Sequence, residues 1–246
     1  MRKYFGHLIY KWIGTPDFIR FIEWKAMFDY LVPKLGKKVL DVACGSGILT
    51  LKIAEKGCQT YGADISSDAI NRAQYLAERE KIPCEFKVSN AESLSFPDSY
   101  FDKVVSSSAL EHFQDDLNAL KEMNRVLKTH GILVLTVDSF TYPMSSELKE
   151  KHTEKGFVIN YYDETKLKGK LEKAGFELDQ NKYLLNSPIT AFLYNLWIKL
   201  WIKNIDGYGL LWPMISFISI PLGLVSDRLI GKKDAGYTLI AKARKL

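Results

Sequence analysis

Three short stretches combine residue types suited to holding a nucleoside. In "VLDVACGSGILT", Asp41 lies at the end of an apolar run and is followed by Gly45 and Gly47 in the turn before a helix. Glycines let the backbone approach a ligand closely, and a helix start offers unpaired N–H groups. The bare Gly-x-Gly is weakly diagnostic: Thr50 stands where a dinucleotide fingerprint has its third glycine, and no phosphate-binding lysine follows. In "YGADIS", Asp64 ends the next apolar run. A carboxylate there can accept hydrogen bonds from both hydroxyls of a ribose. In "VSNAESLSF", Asn90 and the backbone of Ala91 can pair with an adenine edge. Together these describe a pocket for adenosine with an amino-acid-like tail. Asp41 has two open roles, contact with that tail or tying down the glycine loop.

The elements that must position these residues follow from patterning. "KVLDVAC", "QTYGADIS", "CEFKVSN", "FDKVVSSS" and "GILVLTVDS" read as strands. "GILTLKIAEKG", "SDAINRAQYLAEREK" and "LNALKEMNRVLK" read as helices between them. Short β-branched runs alternating with helices imply βαβ units, hence an α/β, doubly wound, mainly parallel sheet with helices on both faces. "DETKLKGKLEKAGFELDQNKYLL" predicts a helix capped by Asp163 and stopped at Gly175, then a strand, and "GYTLIAKARKL" predicts the last strand. Residues 141–160 read as a connection crossing the open edge of the sheet, where ligands bind in such folds.

The chain resembles class I S-adenosylmethionine-dependent methyltransferases, in particular the branch containing ubiquinone and menaquinone biosynthesis enzymes. The resemblance is carried by "VLDVACGSGILTLKIAEKG", "GADISSDAINRAQYLAE", "NAESLSFPDSYFDKVVSSSALEHFQD" and "ALKEMNRVLKTHGILVLTV". It is dense from about residue 38 to 140 and absent from 187 to 232. It implies a Rossmann-like seven-stranded sheet and S-adenosylmethionine as cofactor, with Asp41, Gly45 and Gly47 at the methionine part and Asp64 at the ribose. Asn90 and Ala91 then border the adenine, Ser107 lies beside the cofactor, and Ala43, Ile65 and Glu92 complete the set. Two departures are Asn90 in place of the usual acid and Thr129-His130-Gly131 in place of a Pro-Gly-Gly turn.

A sulfonium methyl is already activated, so its transfer needs mainly proximity, orientation and exclusion of water. For a hydroxyl or carbon acceptor a base helps, and His112 in "SSSALEHFQD" is the candidate, with lining the pocket as its other role. Tyr142, His152, Tyr161 and Tyr162 fall in segments expected to cover the substrate side, or are ordinary loop aromatics; Tyr142 and Tyr161 are the substrate-side candidates.

Outside this core the composition changes. Residues 188–246 carry eight Lys/Arg against three Asp, and all five tryptophans, Trp12, Trp24, Trp197, Trp201 and Trp212, lie in the flanks. Tryptophan with lysine suits a membrane–water boundary. "SPITAFLYNLWIKLWIKN" and "GYGLLWPMISFISIPLGLVS" predict an apolar helical hairpin, one arm short for a bilayer span and the other broken by Pro213 and Pro221. The chain must return from it to the same sheet, so an interfacial hairpin fits better than a spanning one. Peripheral membrane contact is expected through 188–226 and through 1–13, where Tyr4, Phe5, Leu8, Ile9, Trp12 and Ile13 share a helical face. The alternative is a hairpin that lids the pocket or forms a dimer.

The expected organisation is N-terminal helices at 1–32, a cofactor-binding domain at 33–186 plus 233–246, and a hairpin insertion at 187–232. Cys44, Cys58 and Cys84 make neither a disulfide framework nor a zinc motif, so no metal is expected and a reducing cytoplasm fits. The N-terminal stretch is interrupted by His7 and Lys11 and reads as retained rather than as a signal peptide. Nucleic acid is disfavoured because the aromatics lie in uncharged runs rather than among arginines. The expected acceptor is small and apolar or lipid-linked: a quinone precursor, a lipid headgroup or a lipid-linked sugar. A soluble acceptor, or a non-catalytic cofactor-binding scaffold, is the alternative.

Overall fold

A computed structural model describes residues 18–203 and 211–246, with side chains from 18 to 203 and 218 to 246. The amphipathic stretch expected at 1–13 lies outside the described residues.

Among them, seven strands form one sheet: β1 (Lys38–Val42), β2 (Gln59–Asp64), β3 (Cys84–Val88), β4 (Phe101–Ser107), β5 (Leu127–Asp138), β6 (Phe176–Leu184) and β7 (Thr238–Lys245). Their order is β3-β2-β1-β4-β5-β7-β6. The first five are parallel and β7 runs antiparallel between β5 and β6. The order reverses between β1 and β4, which opens a crevice at the carboxyl ends of these strands. β1 and β4 are fully or nearly fully buried through their centres, with Leu40, Val42, Val104 and Val105 covered by helices on both sides.

The helices are α1 (Phe18–Leu31), α2 (Ile48–Ala54), α3 (Ser67–Glu80), α4 (Asp116–Val126), α5 (Ser146–Gly156), α6 (Glu164–Lys173), α7 (Pro188–Ile202) and α8 (Leu211–Ile230). Their starts follow capping chemistry. The side chains of Ser66, Asp115, Ser145 and Asp163 accept from the backbone N–H groups of Ala69, Asn118, Leu148 and Lys166. Ser187 and Thr190 form a reciprocal capping box at α7. Gly57 and Gly175, both with φ +84°, lie in the left-handed turns after α2 and α6, as expected of glycine. The connection expected at 141–160 contains α5, because Ser145 supplies a cap and Leu148 a buried anchor.

The predicted hairpin is α7 and α8, joined through residues 204–210. No described helix is long and apolar enough to cross a membrane. α7 buries Ala191, Tyr194 and Ile198 in the same hydrophobic cluster as Ile22 and Met27 of α1 and Val134 and Ile240 of the sheet. Of its polar residues, Lys199 and Lys203 face solvent, whereas Asn195 Nδ2 donates to the Tyr237 hydroxyl at 3.1 Å. α8 buries Ser219, Ile220, Gly223 and Ser226 and exposes Ile218, Leu222, Val225 and Leu229. That spacing of i, i+4, i+7 and i+11 makes one outward apolar stripe.

Candidate active site

At the carboxyl ends of β1 and β2, the two aspartates adopt different roles. Asp41 is buried, and its Oδ2 accepts from the Thr50 hydroxyl at 2.7 Å. Thr50, which replaces a fingerprint glycine, thus fastens the first turn of α2 to β1. Burial pushes the Asp41 carboxyl up to about 7. Asp64 is half-buried. Its Oδ2 accepts from Gly45 N–H at 2.8 Å and its Oδ1 from Ser66 N–H at 2.9 Å. A carboxylate has about four acceptor positions, so two remain beside the glycine loop.

The loop backbone needs the left-handed region at Ala43 (φ 59°), Gly45 (φ 53°) and Gly47 (φ 75°). The two glycines serve different ends. A Cβ on Gly47 would come within 2.8 Å of Ala73 and Phe86, whereas one on Gly45 would meet nothing within 4 Å. Gly47 therefore permits close packing of α2 on α3 and β3, and Gly45 presents bare backbone to open space. Ile65 beside it is 71% exposed, an apolar side chain available to a flat ring.

Asn90 and Ala91 lie just past β3. Asn90 is exposed and folds back so that its Oδ1 accepts from Glu92 N–H at 2.9 Å; Ala91 is buried. The Glu92 side chain turns toward the start of α4, its Oε1 accepting from Asp115 N–H at 3.0 Å and its carbonyl accepting from Asn118. Spare acceptors on a half-buried carboxylate, a glycine loop open in front, and exposed Asn90 and Ile65 fit an adenosine with a polar tail.

Ser107, at the end of β4, accepts from Trp24 Nε1 at 3.2 Å and Arg20 Nη1 at 3.4 Å, so α1 closes over this strand end. Beside it opens a cavity of about 380 Å³, floored by Ser108, Glu111 and Asp138 and walled by α1, α5 and α7. Arg20 and Glu23 enter from α1, and Tyr194, Trp197 and Trp201 from α7. The Trp197 and Trp201 rings are parallel, with centroids 5.7 Å apart. Glu23, itself buried, accepts from Arg20 at 2.9 Å, from Thr238 at 2.9 Å and from Ser108 at 3.3 Å. Glu111 is fully buried and neither of its oxygens has a hydrogen-bond partner. Burial, reinforced by Asp138, raises its carboxyl well above the usual range, and burial with Glu23 raises Asp138 to about 7.

His112 stands at the rim, its Nδ1 donating to the Phe157 carbonyl at 3.3 Å. That leaves Nε2 as the lone-pair nitrogen. Partial burial, with Arg20 nearby, lowers its pKa, which keeps the ring neutral. His152 also lines the cavity, 3.9 Å from Asp138, and burial lowers it to about 4. Tyr161 and Tyr142, read as substrate-facing, are not among the lining residues. Tyr161 binds His152 and Thr153 from behind, at 3.1 and 2.8 Å, and Tyr142 packs against Tyr237. Tyr162 is wholly buried and donates to Asp116.

Sequence reading missed Arg20, Glu23, Glu111, Asp138, Tyr194 and the cavity role of Trp197 and Trp201. Two signals were present: Asp138 ends an apolar strand as Asp64 does, and Glu23 is a lone acid inside "FIRFIEWKAMF".

A family model described as a methyltransferase domain matches residues 40–135. The chain is 32% identical to "Probable methyltransferase ltbC" of Aspergillus luteorubrus over 194 residues, 66% of each protein. It is 37% identical to the ubiquinone/menaquinone biosynthesis C-methyltransferase UbiE of Rickettsia bellii over 117 residues, 44% of this chain and 47% of that one. The chain thus spans between about half and two thirds of the length of these relatives. Among solved structures, Haemonchus contortus phosphoethanolamine N-methyltransferase 2 in complex with S-adenosyl-L-methionine superposes with a TM-score of 0.66. It is 20% identical, over 98% of this chain and 56% of that one, a likeness of fold.

Proposed function

This chain belongs to the class I S-adenosylmethionine-dependent methyltransferases, and we propose that it transfers a methyl group to an acceptor seated in the cavity beneath α1 and α7. The supporting observation is adjacency in the sheet: the glycine loop follows β1, Ser108 and Glu111 of the cavity follow β4, Asp138 ends β5, and these three strands are parallel neighbours with their carboxyl ends on one edge. Asp64 and the Gly45 backbone hold the nucleoside, with Asn90, Ala91 and Ile65 at its base and Asp41 acting through Thr50. The cofactor supplies a methyl group already activated by a sulfonium, so the protein's task is alignment and exclusion of water. Arg20 and Trp24, by anchoring α1 on Ser107, and the α7 tryptophans provide that enclosure. His112 Nε2, or a floor carboxylate, is placed to take a proton from the acceptor.

The acceptor is small and apolar, or the reactive end of a lipid, and the protein works as a peripheral protein of the cytoplasmic membrane face. The hairpin supports this reading with two faces: Tyr194, Trp197 and Trp201 wall the cavity, while Ile218, Leu222, Val225 and Leu229 turn outward. An outward apolar stripe on one helix, paired with a helix that walls the cavity, suits an acceptor drawn from a lipid surface. The test is incubation of the protein with methyl-labelled S-adenosylmethionine and a membrane lipid extract, followed by mass spectrometry. A labelled lipid is expected; absence of both labelled product and S-adenosylhomocysteine would sink the proposal.

A further inference from the structure

The cavity floor has an excess of acid that the binding of a neutral acceptor does not account for. Glu111 is carried inward by the short helical turn Leu110–His112, fully buried, with no donor to either carboxylate oxygen. Buried without partners, Glu111 avoids the cost of an isolated charge by keeping its proton, and a cation placed against it would let it ionise. Asp138 faces the same space, 3.9 Å from His152. The third acid, Glu23, is already met by Arg20, Ser108 and Thr238. Among the described lining residues, Arg20 is the one lysine or arginine, and its guanidinium binds Glu23 and Ser107. His112 and His152 are held neutral by burial.

We propose that the methyl acceptor presents a basic nitrogen, and that Glu111, with Asp138, receives its positive charge. The inference rests on the methyltransferase reading above and names its substrate class: an amine carried on an apolar body. A hydroxyl or carbon acceptor needs one base, which His112 alone could supply. Two acids facing one cavity suit a group that is cationic on arrival, on departure or both.

The step balances without a further reagent. An amine that arrives protonated first gives its proton to His112 Nε2 at the cavity mouth, which passes it to solvent. Its lone pair then forms the bond to the methyl carbon as the carbon–sulfur bond breaks, the bonding pair leaving with sulfur. Positive charge thereby passes from sulfur to nitrogen, where the floor carboxylates meet it. A product still bearing an N–H can release that proton to the cavity mouth, where His112 stands. Tyr194 and Trp197 border the remaining space, so the carbon body of the acceptor meets aromatic rings.

The probes are n-octylamine and 1-octanol, equal in length and differing in charge, titrated calorimetrically into the full chain saturated with S-adenosylhomocysteine. The amine should bind at least about tenfold tighter than the alcohol, and Glu111→Gln should reduce that preference to within about twofold while leaving S-adenosylhomocysteine affinity unchanged. Equal binding of the two probes, binding of neither, or an undiminished preference in Glu111→Gln overturns the proposal. If Glu111→Gln does not fold, the wild-type ratio and Asp138→Asn decide in the same way. S-adenosylhomocysteine is titrated separately: its failure to bind defeats the methyltransferase reading, whereas its binding without an amine preference defeats only this inference.

Discussion

At the scale of single residues, the two aspartates of the cofactor half separate into a structural and a ligand-facing role. Asp64 has lone pairs to spare and stands half exposed beside the glycine loop. Its replacement by alanine should weaken S-adenosylmethionine binding by about tenfold or more, since a hydrogen bond to a charged group contributes about 1.5–3 kcal/mol. Unchanged affinity by calorimetry in a folded Asp64→Ala protein would overturn the assignment. Asp41 instead affects stability through its proton. Its folded-state pKa of about 7 lies above the ordinary 3.8 because the carboxyl is buried. The folded protein therefore keeps a proton that the unfolded chain has released, and the stability tied to that proton is lost as pH rises from about 4 through 7. Asp41→Asn can still accept from Thr50, and should reduce this slope, to which Asp138 and Glu111 contribute with the same sign; urea midpoints at pH 5 and pH 8 that differ as much in the variant as in the wild type would refute it.

At the scale of elements, α7 and α8 are joined by a single acid. Asp227 of α8 accepts from the backbone of Leu185 and Ser187 at 3.0 and 3.1 Å and from the Thr190 hydroxyl at 2.6 Å, so it completes the start of α7. Asp227→Ala leaves these donors without their shared acceptor and should cost about 2–4 kcal/mol in denaturant unfolding, since each lost charged bond costs about 1–3 kcal/mol with partial recovery from water. A cost within about 0.5 kcal/mol, the range of an ordinary surface change, would show the two helices to be held by apolar contact alone. The start of α6 was readable from sequence because caps are local: Asp163 accepts from the N–H of Lys166, three residues on. α5 was read as a connection because its sequence, SELKEKHTEKG, is nearly all polar and buries only Leu148 and His152. Periodicity gives no signal where so little is buried.

At the scale of the whole molecule, the described parts of the tryptophan-rich flanks, α1 and α7, close over the sheet edge. Trp24 is buried against Ser107, and Trp197 and Trp201 line the cavity. For the membrane contact proposed above, the outward stripe of α8 is the candidate surface among the described residues. Changing Ile218, Leu222, Val225 and Leu229 together to serine should abolish flotation of the full chain with anionic liposomes while preserving the thermal midpoint; flotation equal to that of the wild type would exclude the stripe as the contact. The sequence by itself determined the parallel sheet, the glycine loop and the placing of Asp41, Asp64, Asn90 and Ala91 at successive strand ends. Each of those features is written within one βα unit, where spacing along the chain is spacing along the fold. Only the tertiary structure decided that Arg20 and Glu23, Glu111, Asp138, His152 and Trp197 enclose one space. They come from segments more than 170 residues apart in sequence, and their meeting depends on the order of strands in the sheet and on how α1 and α7 cross its edge, which no local pattern encodes.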